Sequence, residues 1–251
     1  TGVNIDGYGV LYCLTGSSSK IMKHRALASA HWSLMDLHMI GVEPEYAVVY
    51  YNSENIDIPE FQSHMSEFYK QQDVMIIGGE SVTMSDDLTP YGAIAVVGES
   101  NKSEVVNLHE ATEGEKIVQV VEYGNWFGNA VSLADRGNIW RNPLNSDTFE
   151  AARIARKYAS GMKDTAYEGP VNILGDIAGA SGQSVHVDTE EIIYNEEAKE
   201  MVSRIHDSHI DFLNEVDGFT FYATVPDESV EKLQEELSDN GIRSSVVGRL
   251  G

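Results

Sequence analysis

Basic side chains are scarce in this chain: 17 Lys and Arg stand against 40 Asp and Glu in 251 residues, a formal net charge of −23. A surface of that sign repels bare nucleic acid and anionic membranes at long range, so neither is an expected partner. Cysteine is nearly missing as well. The one thiol, Cys13, excludes a disulfide framework within the chain, reads as a small core residue inside Val10 to Leu14, and points to a reducing cytoplasm. No apolar run approaches the roughly 20 residues that cross a bilayer, and nothing resembles a signal peptide. The eight His residues offer no His-x-x-x-His pair with a third ligand, which argues against zinc. Also lacking are a Gly-x-Ser-x-Gly elbow, a Walker A loop, a Rossmann Gly-x-Gly-x-x-Gly, an internal repeat and any low-complexity segment.

What is present is a large, scattered acidic population, as in Glu190-Glu191, Glu196-Glu197, Glu231, Glu235 and Glu236. Dispersed carboxylates describe a heavily solvated surface rather than an acidic arm, and a saline origin would fit them. A phosphorylated ligand can still bind such a protein where backbone amides, a Lys and Mg²⁺ cancel the field locally.

Periodicity predicts an α/β chain. A first strand is expected over Gly9 to Leu14, a Ser-rich turn over Gly16 to Ser19, and a helix from about Ile21 to Ile40 ended by Gly41. Pro44 to Tyr51 reads as a strand, Asp57 to Gln71 as an amphipathic helix, and Asp73 to Ile77 and Tyr91 to Val97 as two further strands. The composition break at His109 to Glu115 reads as a linker, giving one unit over 1–112 and another over 113–251. In the second unit strands are expected at Lys116 to Val121, Ser184 to Val187, Gly218 to Val225 and Arg243 to Val247. Helices are expected at Asn129 to Asp135, Asp147 to Ser160, Glu196 to Arg204 (extending towards His209) and Glu228 to Asp239, the last closed by Asn240-Gly241.

The stretch Asp73-Val-Met-Ile-Ile-Gly-Gly-Glu-Ser81 carries the sharpest chemical signal. A short buried strand delivers Gly78, Gly79, Glu80 and Ser81 to one tight turn, where glycines permit close approach of a phosphate or metal. An ordinary Gly-Gly turn is the alternative.

The order of motifs resembles the aminoimidazole ribonucleotide synthetase family, the phosphoribosylformylglycinamidine cyclo-ligases of purine biosynthesis, within the wider PurM-like, ATP-binding superfamily. Thr15-Gly16-Ser17-Ser18-Ser19-Lys20 stands where the family has Asp-Gly-Val-Gly-Thr-Lys. Met35-Asp36 runs into Gly41-Val42-Glu43-Pro44 as the family's Asn-Asp runs into Gly-Ala-Glu-Pro. Gly78-Gly79-Glu80-Ser81-Val82-Thr83-Met84 is similar to Gly-Gly-Glu-Thr-Ala-Glu-Met, and Asn129-Ala130-Val131-Ser132-Leu133 to Asn-Gly-Tyr-Ser-Leu. The closing pattern, Gly218 to Pro226 followed by a helix and Gly241 to Gly248, is also shared.

The resemblance implies a PurM-like two-domain α/β (α+β) fold, with an N-terminal ATP-binding mixed-sheet domain that pairs with its copy in a homodimer. It implies closure of the imidazole ring of formylglycinamidine ribonucleotide after ATP activates the formamide oxygen. Mg²⁺ would then be held by Asp36 and Glu80, with Lys20 meeting the charge of the transferred phosphoryl group and Asp36 beside it as catalytic residue. Gly78, Gly79, Glu80 and Ser81 would hold ATP. Gly124, Asn129, Ser132, Asn172 and Gly175 would hold the phosphorylated substrate, the last two standing in for the family's His-Ile-Thr-Gly-Gly-Gly. Residues of bland appearance share these positions: without the resemblance Asp36 reads rather as the polar face of a helix, Lys20 as surface, and Asn129 as a cap.

Four departures define the alternatives. Thr15 replaces the loop Asp, Met35 replaces the Asn, the substrate segment at Asn172 is degraded, and only Thr1 to Tyr8 precede the expected first strand where the family has a nucleotide lid. A shortened relative, of the kind a virus would carry into its host's cytoplasm, a catalytically silent fold used as a homo-oligomeric structural or binding protein, and a superfamily kinase or synthetase with another small substrate all fit this pattern.

Overall fold

The computed structural model describes residues 2–9, 30–52, 58–82, 91–124, 147–165, 169–196, 199–200, 213, 217 and 219–251. Cys13, the 15–20 loop with Lys20, the start of the first helix, the 129–135 helix with Asn129 and Ser132, and the chain from 201 to 209 lie outside the described residues.

Two sheets organise the described residues. The first contains β1 (Gly2–Gly9), β2 (Glu43–Asn52), β3 (Met75–Val82) and β4 (Tyr91–Glu99) in the order β1-β4-β2-β3. β2 runs parallel to β3 and antiparallel to β4, so the sheet is mixed. The parallel step requires a crossover, which α2 (Ile58–Gln71) supplies. Helix α1 is described over 30–39 and ends as expected at Gly41. There φ is +81° and an added Cβ would strike the Glu104 carbonyl, so glycine is required.

The second sheet is antiparallel throughout: β5 (Lys116–Val120), β6 (Gly161–Asp164), β7 (Val185–Val187), β8 (Phe221–Val225) and β9 (Ser244–Leu250) in the order β6-β8-β5-β9-β7. β8 has no polar alternation because all its residues are buried between the helices α3 (Asp147–Ala155) and α5 (Asp227–Asp239) on one side and the cluster around α4 (Pro170–Ser181) on the other.

Three sequence expectations change. The first described strand is Gly2–Gly9, which starts ahead of the expected Gly9 to Leu14; residues 10–14 lie outside the described residues. Its glycines give it weak strand propensity, but each of its residues pairs with β4, from Gly2 against Gly98 to Gly9 against Tyr91, and this pairing overrides propensity. The residues before the expected strand thus themselves form a strand. The 109–115 segment is not a free linker: buried Glu115 accepts hydrogen bonds from Thr112 Oγ1 (3.1 Å) and Ser160 Oγ (2.9 Å), and backbone bonds tie it to Leu250. Finally, β6 and α4 replace what read as loop, with Pro170 in the first helical turn and Gly182 closing the helix at φ +69°.

The two sheets share one continuous hydrophobic core through α1 and α3. His31 and His38, two turns apart on α1, flank the Phe149 ring of α3 with centroid distances of 4.6 and 4.8 Å. At the rim, Glu43 of β2 binds Arg156 Nη2 at 2.7 Å and Arg153 Nε at 3.3 Å. Such partly exposed pairs contribute about 0.2–1 kcal/mol, whereas truncating a buried Phe costs about 3–5 kcal/mol, so ring packing rather than charge holds the halves together.

Burial, with Arg153 and Arg156 adding to it, lowers the His38 pKa to about 3. The imidazole is therefore neutral in the native state, and its 3.8 Å approach to Glu43 is not an ion pair at neutral pH. The unfolded chain takes up this proton near pH 6.5, so the stability His38 confers is complete above that pH and is lost as the pH falls towards about 3. By pH 5 the loss amounts to roughly 2 kcal/mol. Urea unfolding at pH 7 and pH 5 should show that much less pH dependence in His38→Gln than in the native chain; equal slopes would refute the assignment.

Candidate functional site

The groove that contains the sequence-predicted glycines is made by α2 and the outer strand β3. On α2, Phe61, Met65, Phe68 and Tyr69 are buried at helical spacing, which leaves Gln62 and Ser66 at the border of the apolar stripe. Facing them, Ile76 to Glu80 of β3 complete a groove of about 440 Å³, the lower part of the range for small-molecule sites. Glu80 is exposed at this outer strand.

The glycines do not form a turn. They sit inside β3, where the register steps from Ala47 against Ile76 to Val48 against Gly78, a bulge that leaves Ile77 unpaired. Glu80 and Ser81 continue the strand opposite Tyr50 and Tyr51. The apolar Val-Met-Ile-Ile run suggested that the strand stopped at the glycines, but parallel pairing with β2 carries it through to Val82.

The two glycines have different roles. At Gly79 φ is +147° and an added Cβ would overlap the Val49 carbonyl, so this glycine is required by strand pairing. At Gly78 an added Cβ meets nothing within 4 Å. Its missing side chain would meet open space beside Val48, its partner in the register.

Asp36 lies on α1, half-buried between the fully buried Met35 and Leu37, and is not among the residues that line the groove. Met35, at the family's Asn position, is a core residue. Among the described residues no three His, Cys, Asp or Glu side chains converge on a metal position. That still fits Mg²⁺, which is commonly held by one or two carboxylates together with a substrate's phosphates and water.

In the second half, Gly124 is buried at φ +101° just beyond β5. The corner before it is strained, because Val121 has φ +69°, a conformation disfavoured for a β-branched residue. Several bonds hold it there: Val121 N–H donates to the Arg243 carbonyl (2.9 Å), Thr220 Oγ1 donates to the Glu122 carbonyl (2.9 Å), and Gln119 Nε2 donates to the Val121 carbonyl (3.1 Å). The Glu122 carboxylate pairs with Arg243 and accepts from Asn195 Nδ2 at 3.3 Å. Such over-determined strain is common at functional corners.

Asn172 and Gly175 are not in a glycine-rich loop. Both are exposed on α4, whose Ile173, Leu174 and Ile177 face the core. The structure therefore brings together Gly78, Gly79 and Glu80, with Gln62 and Ser66 that sequence reading passed over, and leaves Asp36, Gly124, Asn172 and Gly175 on other elements. A polar i, i+4 pair beside an apolar helical stripe was the available signal for Gln62 and Ser66.

Comparison with known proteins places this geometry in a fold. The chain superposes on a thiamine-monophosphate kinase from Stenotrophomonas maltophilia with a TM-score of 0.77 at 18% identity, over 100% of this chain and 82% of that one. It superposes on the hydrogenase maturation protein HypE in complex with ATP with a TM-score of 0.79 at 18% identity, over 100% and 77% of the two chains. With T. maritima PurL complexed with ATP the TM-score is 0.77 at 12% identity, over 99% of this chain and 40% of that one. No sequence family matches the chain, and no curated protein matches it.

The two glycines give a direct test of the local geometry. Gly79→Ala should destabilise by about 3 kcal/mol or more because β2 and β3 must separate, while Gly78→Ala should stay within about 1 kcal/mol of the native chain. Thermal and urea unfolding measure both; equal effects would contradict the register. By architecture the chain is a mixed α/β protein of the PurM-like kind, a likeness of fold that leaves membership in the cyclo-ligase family without support from these comparisons.

Proposed function

We propose that this chain binds Mg-ATP along the α2–β3 groove and uses it in an ATP-dependent reaction on a small phosphorylated substrate. The observation that carries this reading is the coincidence of the Gly78-Gly79-Glu80 motif with the lining of a groove of small-molecule size. Two structures of the same fold, HypE and PurL, are complexes with ATP, which supports the choice of ligand. Glu80, at the groove, and Asp36, from α1, are the carboxylates proposed to take part in holding Mg²⁺, the ion supplying charge neutralisation for the triphosphate. Lys20 is proposed as the cation for the transferred phosphoryl group, and Ser81 as a further nucleotide contact. Gly124, Asn129 and Ser132, which follow the strained β5 corner, are the proposed substrate segment. Asn172 and Gly175 have little support in this role, since they lie on the solvent side of a helix.

The cyclo-ligase of purine biosynthesis is the reaction that the ordered sequence motifs favour. A kinase or synthetase acting on another small substrate is the second reading, favoured by full-length superposition on a thiamine-monophosphate kinase and on HypE. The two domains are proposed as 1–112 and 113–251. A homodimer through the first sheet is supported by the face of that sheet turned away from Ala47 and Val49, where Tyr46, Val48 and Met75 are exposed. Among the described residues no helix is long and apolar enough to cross a membrane; the proposed location is the cytoplasm.

Isothermal titration with ATP, with and without Mg²⁺, tests the binding. Heat of binding should require Mg²⁺, and Glu80→Gln should weaken the Mg²⁺-dependent part by about tenfold or more, the worth of one charge-assisted contact. Asp36→Asn should do the same. Absence of heat and of any thermal shift at millimolar ATP would reject every ATP-dependent version. Formation of aminoimidazole ribonucleotide, against ATP consumption with thiamine phosphate, separates the two reactions.

A further inference from the structure

The groove between α2 and β3 is divided by charge. Val49, Met65, Ile76 and Ile77 make its walls apolar, Gln62 and Ser66 add neutral polar groups, and the single charged residue in its lining is Glu80. No Lys, Arg or His lines it. In a chain of net charge −23 a triphosphate cannot lie along such walls, because nothing there replaces the solvation of its oxygens. The phosphates are confined to the Glu80 end, where a carboxylate can share Mg²⁺ with them. The rest of the groove fits an uncharged, largely apolar group with a few polar atoms at its edge. Three features describe that group further. Ile77, skipped by the β2–β3 register, is 58% exposed at the groove and offers an apolar surface on which a ring can pack. β3 is the outer strand, and no other described strand pairs with its free edge, so main-chain donors and acceptors run along the groove. Gln62 and Ser66 stand one turn apart on α2, both exposed, and neither is engaged with another described residue.

We propose that this neutral part of the groove is a nucleoside pocket that selects adenine over guanine, with Gln62 as the residue that reads the base. The inference rests on the nucleotide reading of the groove and adds the orientation of the ligand and the identity of its base. A glutamine amide presents one acceptor and one donor side by side. The N6 amino group of adenine donates and its N7 accepts, so Oε1 and Nε2 of Gln62 satisfy both. Guanine offers two acceptors, O6 and N7, at the same place, and Gln62 Oε1 would face O6 with no proton between them. A cationic fork would match guanine, and the lining of the groove holds none. The Ser66 hydroxyl both donates and accepts, so it steadies the nucleoside without choosing the base.

Titration calorimetry of the whole chain with ATP, GTP, adenosine and guanosine tests this. ATP should bind more tightly than GTP by about fivefold to a hundredfold, the worth of one bidentate base contact. Adenosine should bind without Mg²⁺ and displace ATP. Gln62→Ala, at an exposed helical position, should remain folded by circular dichroism and lose the difference between ATP and GTP. Gln62→Arg should reverse the preference between the two nucleosides, whose lack of charge separates base reading from the general attraction of a new cation for phosphates. Glu80→Gln should weaken ATP far more than adenosine. Equal affinity of the native chain for ATP and GTP, or an ATP preference that survives Gln62→Ala, overturns the role of Gln62 and leaves nucleotide binding standing. Adenosine that fails to compete with ATP, or that Glu80→Gln weakens as much as ATP, overturns the orientation. No binding of ATP in the presence of Mg²⁺ overturns the nucleotide reading itself, and the base pocket with it.

Discussion

The rest of the structure depends on one packing contact, the insertion of the Phe149 ring between His31 and His38. α1 belongs to the first sheet and α3 to the second, and this stack makes their two cores continuous. It requires both imidazoles to be in a dry environment, and the low His38 pKa is the electrostatic consequence of that burial. The Glu43–Arg153–Arg156 pairs close the rim of the same contact but are too exposed to drive it.

With the halves joined in this way, the chemistry is left to the edges of the sheets. β3 is an outer strand, so its backbone and the flank of α2 form a groove instead of being covered by another strand. The β2–β3 bulge and Gly79 keep the two strands close. On the second sheet the strained Val121 corner is held by bonds from Gln119, Thr220 and Arg243, which fix the direction in which the chain leaves β5. Neither feature is a continuous sequence motif. Both arise where one strand meets another from a distant part of the chain.

Element type and order were largely legible in the sequence. Period 3.6 identified α2, α3 and α5, apolar runs identified β2, β4, β5 and β8, and Gly41 ended α1, all through interactions within a few residues. The Gly78-Gly79-Glu80 motif was also visible as a candidate site. Tertiary structure decided what depends on partners distant in the chain. Gly2–Gly9 became a strand through pairing with β4, and the double glycine became strand rather than turn through pairing with β2. Asn172 and Gly175 were turned to solvent because Ile173, Leu174 and Ile177 claimed the core side of their helix. Local propensities differ by about 1 kcal/mol or less per residue, so a ladder of hydrogen bonds or a buried apolar face outweighs them, and no local reading of the chain contains those terms.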